Sequence, residues 1–213
     1  MAPRGVGSTK GGFGRGALRA SREIVSTLSS AIFGDRHPRA IGRSKRCNNN
    51  LELQLVLSAS SLLDKYGDVS QLIKEDGFKI NERVFSLLEG ESLLTMAKST
   101  GLGIMELSTA FIEIKPDYVI VIADRFENIS VAIAASYMNI KLVHIQGGEI
   151  TGSIDESVRH AITKLSHLHF PATKRSREYI LRMGEDPNFD HQVGCPSIDL
   201  LVENDFSASM ASC

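Results

Sequence analysis

From Leu51 onward the apolar positions alternate between two patterns. "LELQLVLS" is strand-like, and "SLLTMAKSTGLGIMELSTAFIEI" reads as a long, glycine-interrupted helix that must stop near Lys115 because Pro116 follows. "DYVIVIA", residues 117–123, is a continuous β-branched run of the kind buried on both faces of a parallel sheet. The helix "ENISVAIAASYMN" and the strand "IKLVHI" follow, so residues 117–146 form a βαβ crossover. "HLHFPAT", the helix "KRSREYILRMG" ending at Gly184, and "HQVGCPSIDLL" continue the alternation. The pattern predicts an α/β fold, a doubly wound, Rossmann-like parallel sheet.

Residues 1–50 break this texture. They hold ten Lys/Arg against Glu23 and Asp35, are rich in Gly, Arg and Ser, and show one short apolar patch near Ile24 to Phe33. The segment reads as basic, low in complexity and disordered; a transit peptide, a disordered tail and a misjoined gene start all fit it. "GGFGRG" lacks the preceding strand a phosphate-binding loop needs. The remaining body carries 14 basic against 23 acidic residues, which argues against nucleic acid as a partner. No apolar run reaches the roughly 18 residues of a membrane span. Cys47, Cys195 and Cys213 have no metal-ligand spacing, so no metal site or disulfide framework is expected, and a cytosolic setting is.

Ligands of open parallel sheets bind beyond the carboxyl ends of the strands. Two such ends are visible. "ADRFE" places Asp124 and Arg125 past one buried strand, and "HIQGGE" places His144, Gln146 and Glu149 past its neighbour. Ser153 and Glu156 have the spacing of a capping box opening a helix whose apolar stripe is Ile154, Val158, Ile162 and Leu165. On that helix Asp155 and Arg159, and Glu156 and His160, stand four apart and are positioned to pair. Asp155 and Glu156 could serve only the helix start, and His160, His167 and His169 read as helix-surface or core residues. Asp124 has no comparable capping duty, which favours a site role. Cys195 reads as a small buried residue, and Thr173 begins a solvated basic helix.

The combination of DRFE, HIQGGE, IDESVRHAITK and VGCPSID, with LLDKYG and MAKSTGLG, closely resembles the hydrolysing UDP-N-acetylglucosamine 2-epimerases, particularly the branch serving sialic and legionaminic acid biosynthesis. The resemblance covers residues 51–201 and leaves 202–213 as a tail outside it. It implies one half of a GT-B architecture, two Rossmann-like domains closing on a nucleotide sugar. It also implies a reaction without metal or cofactor: the C2 proton is lost with anti elimination of UDP, and water adds to the glycal. Asp124 and Asp155 match acid/base positions, and Glu149 takes a share of proton transfer because Gln146 stands where some relatives have glutamate. Arg125, His144 and Gln146 match substrate contacts, with Glu156, Arg159 and His160 supporting them. Ser61 and Ala123 also depart from the common histidine and glycine. The expected substrate is a UDP-sugar, UDP-GlcNAc or UDP-N,N'-diacetylbacillosamine. The family's second domain, which grips most of UDP and supplies a further catalytic histidine, has no counterpart in these residues. Weak or absent turnover by this chain alone is expected; the alternative reading is a non-catalytic partner of a full-length epimerase, and the chain could associate with such an enzyme or with itself as a homo-oligomer. A conventional GT-B glycosyltransferase fits the fold but fits these motifs less well.

Overall fold

The structure is a computed structural model that describes residues 22–28, 51–63, 69–90, 92–122, 125–195 and 198. Strands β1 (Arg22–Leu28), β2 (Leu51–Ser58), β3 (Ile80–Val84), β4 (Tyr118–Ile122), β5 (Lys141–Ile145) and β6 (Leu168–Phe170) form one parallel sheet in the order β3-β2-β1-β4-β5-β6. Helices α1 (Val69–Glu75), α2 (Leu93–Ile114), α3 (Asn128–Tyr137) and α4 (Ile154–Leu165) make the four crossovers from β2 to β6, and α5 (Lys174–Arg182) follows β6. The chain winds outward from β1 to β3, returns through α2 to β4, and winds outward again. That is the doubly wound order, with its switch point between β1 and β4.

The strand β1 corrects one expectation. Residues 1–50 are expected not to pack, yet Arg22–Leu28 is a central strand, paired along its whole length with Leu51–Leu57 and along Ile24–Ser26 with Tyr118–Ile120. Composition is a local quantity, whereas a central strand is held by ladders from segments far along the chain. The remaining readings of residues 1–50, and that of the tail 202–213, fall outside the described residues.

Alternation along the strands feeds two faces. Val56, Val119, Val121 and Leu142 bury one face of the sheet against Leu107 and Phe111 of α2, Val131 and Ala135 of α3, and Ile162 of α4. Leu55 and Leu57 bury the other face against Val69 and Ile73 of α1, and Ile120, Ile122 and Val143 pack with Leu168 and Phe170. Each buried Val, Leu, Ile or Phe side chain among these stabilises the fold by about 1.5–3 kcal/mol relative to exposure. The expected stripe of α4 holds at Ile162, but Ile154 is exposed.

Helix α2 passes unbroken through Gly101 and Gly103 and ends where expected, with Lys115 in the left-handed region at φ 52 before Pro116. Gly103 permits the α2–α3 crossing: a Cβ there would stand 2.8 Å from Ser130 Oγ. That hydroxyl donates to the Thr100 carbonyl at 2.9 Å. Residues 191–195 do not make the expected further strand. His191 N–H donates to the His169 carbonyl at 2.9 Å and Val193 N–H to that of Pro171 at 3.2 Å, but only Asp190 forms a bridge, to His169. Among the described residues no helix is long and apolar enough to cross a membrane.

Candidate functional site

Register sets the rim. Val121 is the partner of His144, and Ile122 of Ile145, so the chain leaves β4 and β5 at the same level. Asp124, two positions past Ile122, lies outside the described residues. Arg125 is described, and its guanidinium donates through Nε and Nη2 to the two carboxylate oxygens of Glu127, each at 3.3 Å. Glu127 is buried, and the buried Asn128 donates its amide to the Ile122 carbonyl at 2.8 Å. Glu127, the last residue of the DRFE motif, and Asn128, to which the sequence patterns assign no role, tie the end of β4 to the start of α3.

Past β5 the backbone turns sharply. Gln146 sits at φ 63 and Gly148 at φ 79, both in the left-handed region. Such a conformation costs a non-glycine residue roughly 1–2 kcal/mol, and Gln146 is held in it from both ends. Its N–H donates to the Phe170 carbonyl at 3.0 Å, and its side-chain amide reaches Cys195 Sγ at 3.0 Å. Cys195, expected as an inert buried residue, is half-buried and borders the rim. The glycine pair is a close-approach turn, as expected, though what approaches is the protein itself. A Cβ on Gly147 would stand 2.9 Å from His144 Nδ1, and one on Gly148 would stand 2.2 Å from the Ser176 carbonyl oxygen of α5.

The start of α4 differs from the expected capping box. Ser153 makes no side-chain cap; the Glu156 carboxylate instead accepts from the N–H groups of Thr151 at 2.8 Å and Gly152 at 2.6 Å. With Gly152 at φ 75 the loop curls so that both N–H groups converge on one oxygen. These bonds, that of Gly152 foremost, hold the Glu156 pKa below its ordinary value, and His160 and Arg159 add to the effect. The pairing of Glu156 with His160 is present at 3.8 Å. That of Asp155 with Arg159 is not. Arg159 is buried and turns inward, donating to the Glu149 carbonyl, so it secures the loop between β5 and α4.

Two carboxylates are thereby left on the rim. Glu149 and Asp155 are each partly exposed, and neither side chain is hydrogen-bonded or ion-paired with any described residue. Behind them His144 is fully buried, its Nδ1 3.1 Å from Thr163 Oγ1. Beyond the ends of β2, β3 and β4 opens a groove of about 690 Å³, whose walls include Ser60, Leu88, Met96, Arg125 and Phe126. The carboxylates past β5 and the groove past β2, β3 and β4 lie at the same edge of the parallel sheet, and acid/base groups so placed can move protons on a bound organic ligand.

The family model for UDP-N-acetylglucosamine 2-epimerase matches residues 44–212, a span that contains every rim residue described above. The chain belongs to the UDP-N-acetylglucosamine 2-epimerase family. The match extends beyond residues 51–201 at both ends. The chain is 37% identical over 156 residues to a hydrolysing UDP-N,N'-diacetylbacillosamine 2-epimerase of Legionella pneumophila, covering 73% of this chain and 41% of that one. It is 34% identical over 191 residues to a hydrolysing GDP/UDP-N,N'-diacetylbacillosamine 2-epimerase of Campylobacter jejuni, covering 89% and 46%. The latter match necessarily reaches into the first fifty residues. The solved UDP-GlcNAc 2-epimerase of Neisseria meningitidis, bound to UDP-GlcNAc, superposes with a TM-score of 0.73 at 19% identity, over 85% of this chain and 49% of that one. The chain therefore spans somewhat less than half the length of these epimerases. Its fold is that of one Rossmann-like half of their architecture.

Proposed function

We propose that this chain supplies the half-site that performs proton transfer in a hydrolysing 2-epimerase of a UDP-linked, N-acetylated amino sugar. A base on the rim removes the C2 proton, the C1–O bond breaks and UDP departs with the bonding pair, leaving a C1=C2 glycal. Water then adds its hydroxyl to C1 while an acid returns a proton to C2 from the opposite face, giving a free 2-epimeric sugar. Asp124 and Asp155 exchange these protons, with Glu149 sharing the work because Gln146, an amide, cannot. Arg125 and the groove beside it hold the sugar nucleotide. The observation that carries this reading is the pair of carboxylates, Glu149 and Asp155, that engage no described residue and lie within the family signature.

UDP-GlcNAc is the first substrate to try. UDP-N,N'-diacetylbacillosamine is the second, favoured by the names of the Legionella and Campylobacter relatives. The test is UDP release from each, beside UDP-glucose, which lacks the 2-acetamido group, together with ligand-observed NMR for binding. One acetamido sugar nucleotide should bind and release UDP, slowly for this chain alone, and UDP-glucose should not. Binding of neither acetamido substrate, or equal release from UDP-glucose, would contradict the reading.

A further inference from the structure

Thr163 lies on the inner side of α4 with no exposed surface, directly against the His144 ring. Its Oγ1 is 3.1 Å from His144 Nδ1 and 3.0 Å from the carbonyl oxygen of Arg159. A hydroxyl has one proton, and a carbonyl oxygen has none to give. Both contacts are satisfied in one arrangement: Thr163 donates to the Arg159 carbonyl, and Nδ1–H of His144 donates to Thr163 Oγ1. Gly147 closes the ring in, since even a methyl there would stand 2.9 Å from Nδ1 and 3.1 Å from Thr163 Oγ1.

We propose that Thr163 is a positioning residue, fixing neutral His144 in the Nδ1–H tautomer so that Nε2 is its basic nitrogen. The tautomer of a histidine is set by the hydrogen bond its other nitrogen makes, and here that bond is anchored to the helix bearing Asp155 and Glu156. The same chain of bonds joins His144 to the backbone of Arg159, whose side chain holds the Glu149 loop. The strand residue and both carboxylate-bearing segments are thus fastened to one turn of α4. The catalytic importance of this device rests on the 2-epimerase reading; the tautomer itself does not.

Long-range ¹H–¹⁵N NMR of the full chain, labelled at histidine nitrogen and assigned with His144→Gln, reads the tautomer directly at pH 8. The expected spectrum gives His144 a protonated Nδ1 and an unprotonated Nε2, a pattern retained in Thr163→Ser and lost in Thr163→Val. A wild-type His144 protonated at Nε2, alone or with Nδ1, overturns the proposal, whether or not the valine variant folds. So does a folded Thr163→Val variant with the wild-type pattern. Where turnover is measurable, Thr163→Val should lower kcat on the order of 10–100-fold with little change in KM, and serine should restore it. Binding of neither acetamido sugar nucleotide with the expected tautomer would count against the epimerase reading alone, and binding with the other tautomer against the tautomer alone.

Discussion

The carboxylate of Glu156 and the N–H of Gly152 meet at 2.6 Å, and this contact closes the loop that carries the rim onto the first turn of α4. Because these hydrogen bonds favour the ionised form, the folded pKa of Glu156 lies below its ordinary value of 4.5. The sign follows from linkage: the contribution to stability is complete above the unfolded value and is lost as pH falls through the lower, folded value. The amide resonances of Thr151 and Gly152 should therefore titrate with a midpoint below 4.5. A midpoint at or above that value would show that the carboxylate is not held as described. Glu156→Gln should speed hydrogen exchange at both amides.

Two glycines of one helix predict opposite outcomes. A Cβ on Gly101 meets nothing within 4 Å, whereas one on Gly103 would stand 2.8 Å and 2.9 Å from Ser130 Oγ and Cβ. Gly101→Ala should stabilise the protein by up to about 1 kcal/mol through helix propensity. Gly103→Ala should destabilise it by about 1–3 kcal/mol despite that gain, because α2 and α3 must separate. Urea unfolding of the two variants checks both signs.

The same contrast applies around the rim. Gly152→Ala places a Cβ in open space at φ 75 and should cost about 1–2 kcal/mol of backbone strain. Gly148→Ala drives a Cβ to 2.2 Å from the Ser176 carbonyl oxygen, which is backbone and cannot swing aside. Its cost should be visibly larger, with loss of the packing of α5 as read by thermal unfolding and amide exchange.

Glu149 and Asp155 should behave as functional rather than structural residues. Since neither side chain engages a described residue, Asp155→Asn should cost under about 1 kcal/mol, the scale of an acid's interaction with a helix start. Turnover should fall about 10²–10⁴-fold in Asp155→Asn, and comparably in Glu149→Gln if that residue shares the proton transfer. Parallel losses of stability and turnover would place these residues in the fold instead.

What was legible in the sequence was what is local. The buried runs Val119–Ile122 and Leu142–His144 announce themselves as strands, and the starts of α2 and α5 and the Gly147–Gly148 turn follow from spacing and residue type, whereas α1 was not read and α4 starts on a different cap from the one its spacing suggests. The strand Arg22–Leu28 was not legible, since what holds it are ladders to Leu51–Leu57 and Tyr118–Ile120. The link from Gln146 to Cys195 spans 49 positions and leaves no trace in local spacing. Arg159 shows the limit of the four-residue rule. Helical spacing offered it Asp155, but burial turned the guanidinium toward the Glu149 carbonyl, and no surface pattern records that choice.

The most direct test is the reaction in D₂O with the acetamido sugar nucleotide that binds, followed by NMR of the released sugar. The account predicts UDP and a free sugar inverted at C2 and carrying deuterium there, with both lost in Asp155→Asn. Release of a sugar that keeps its configuration and its C2 proton would mean that the rim cleaves without touching C2, and the 2-epimerase reading of this half-site would be wrong.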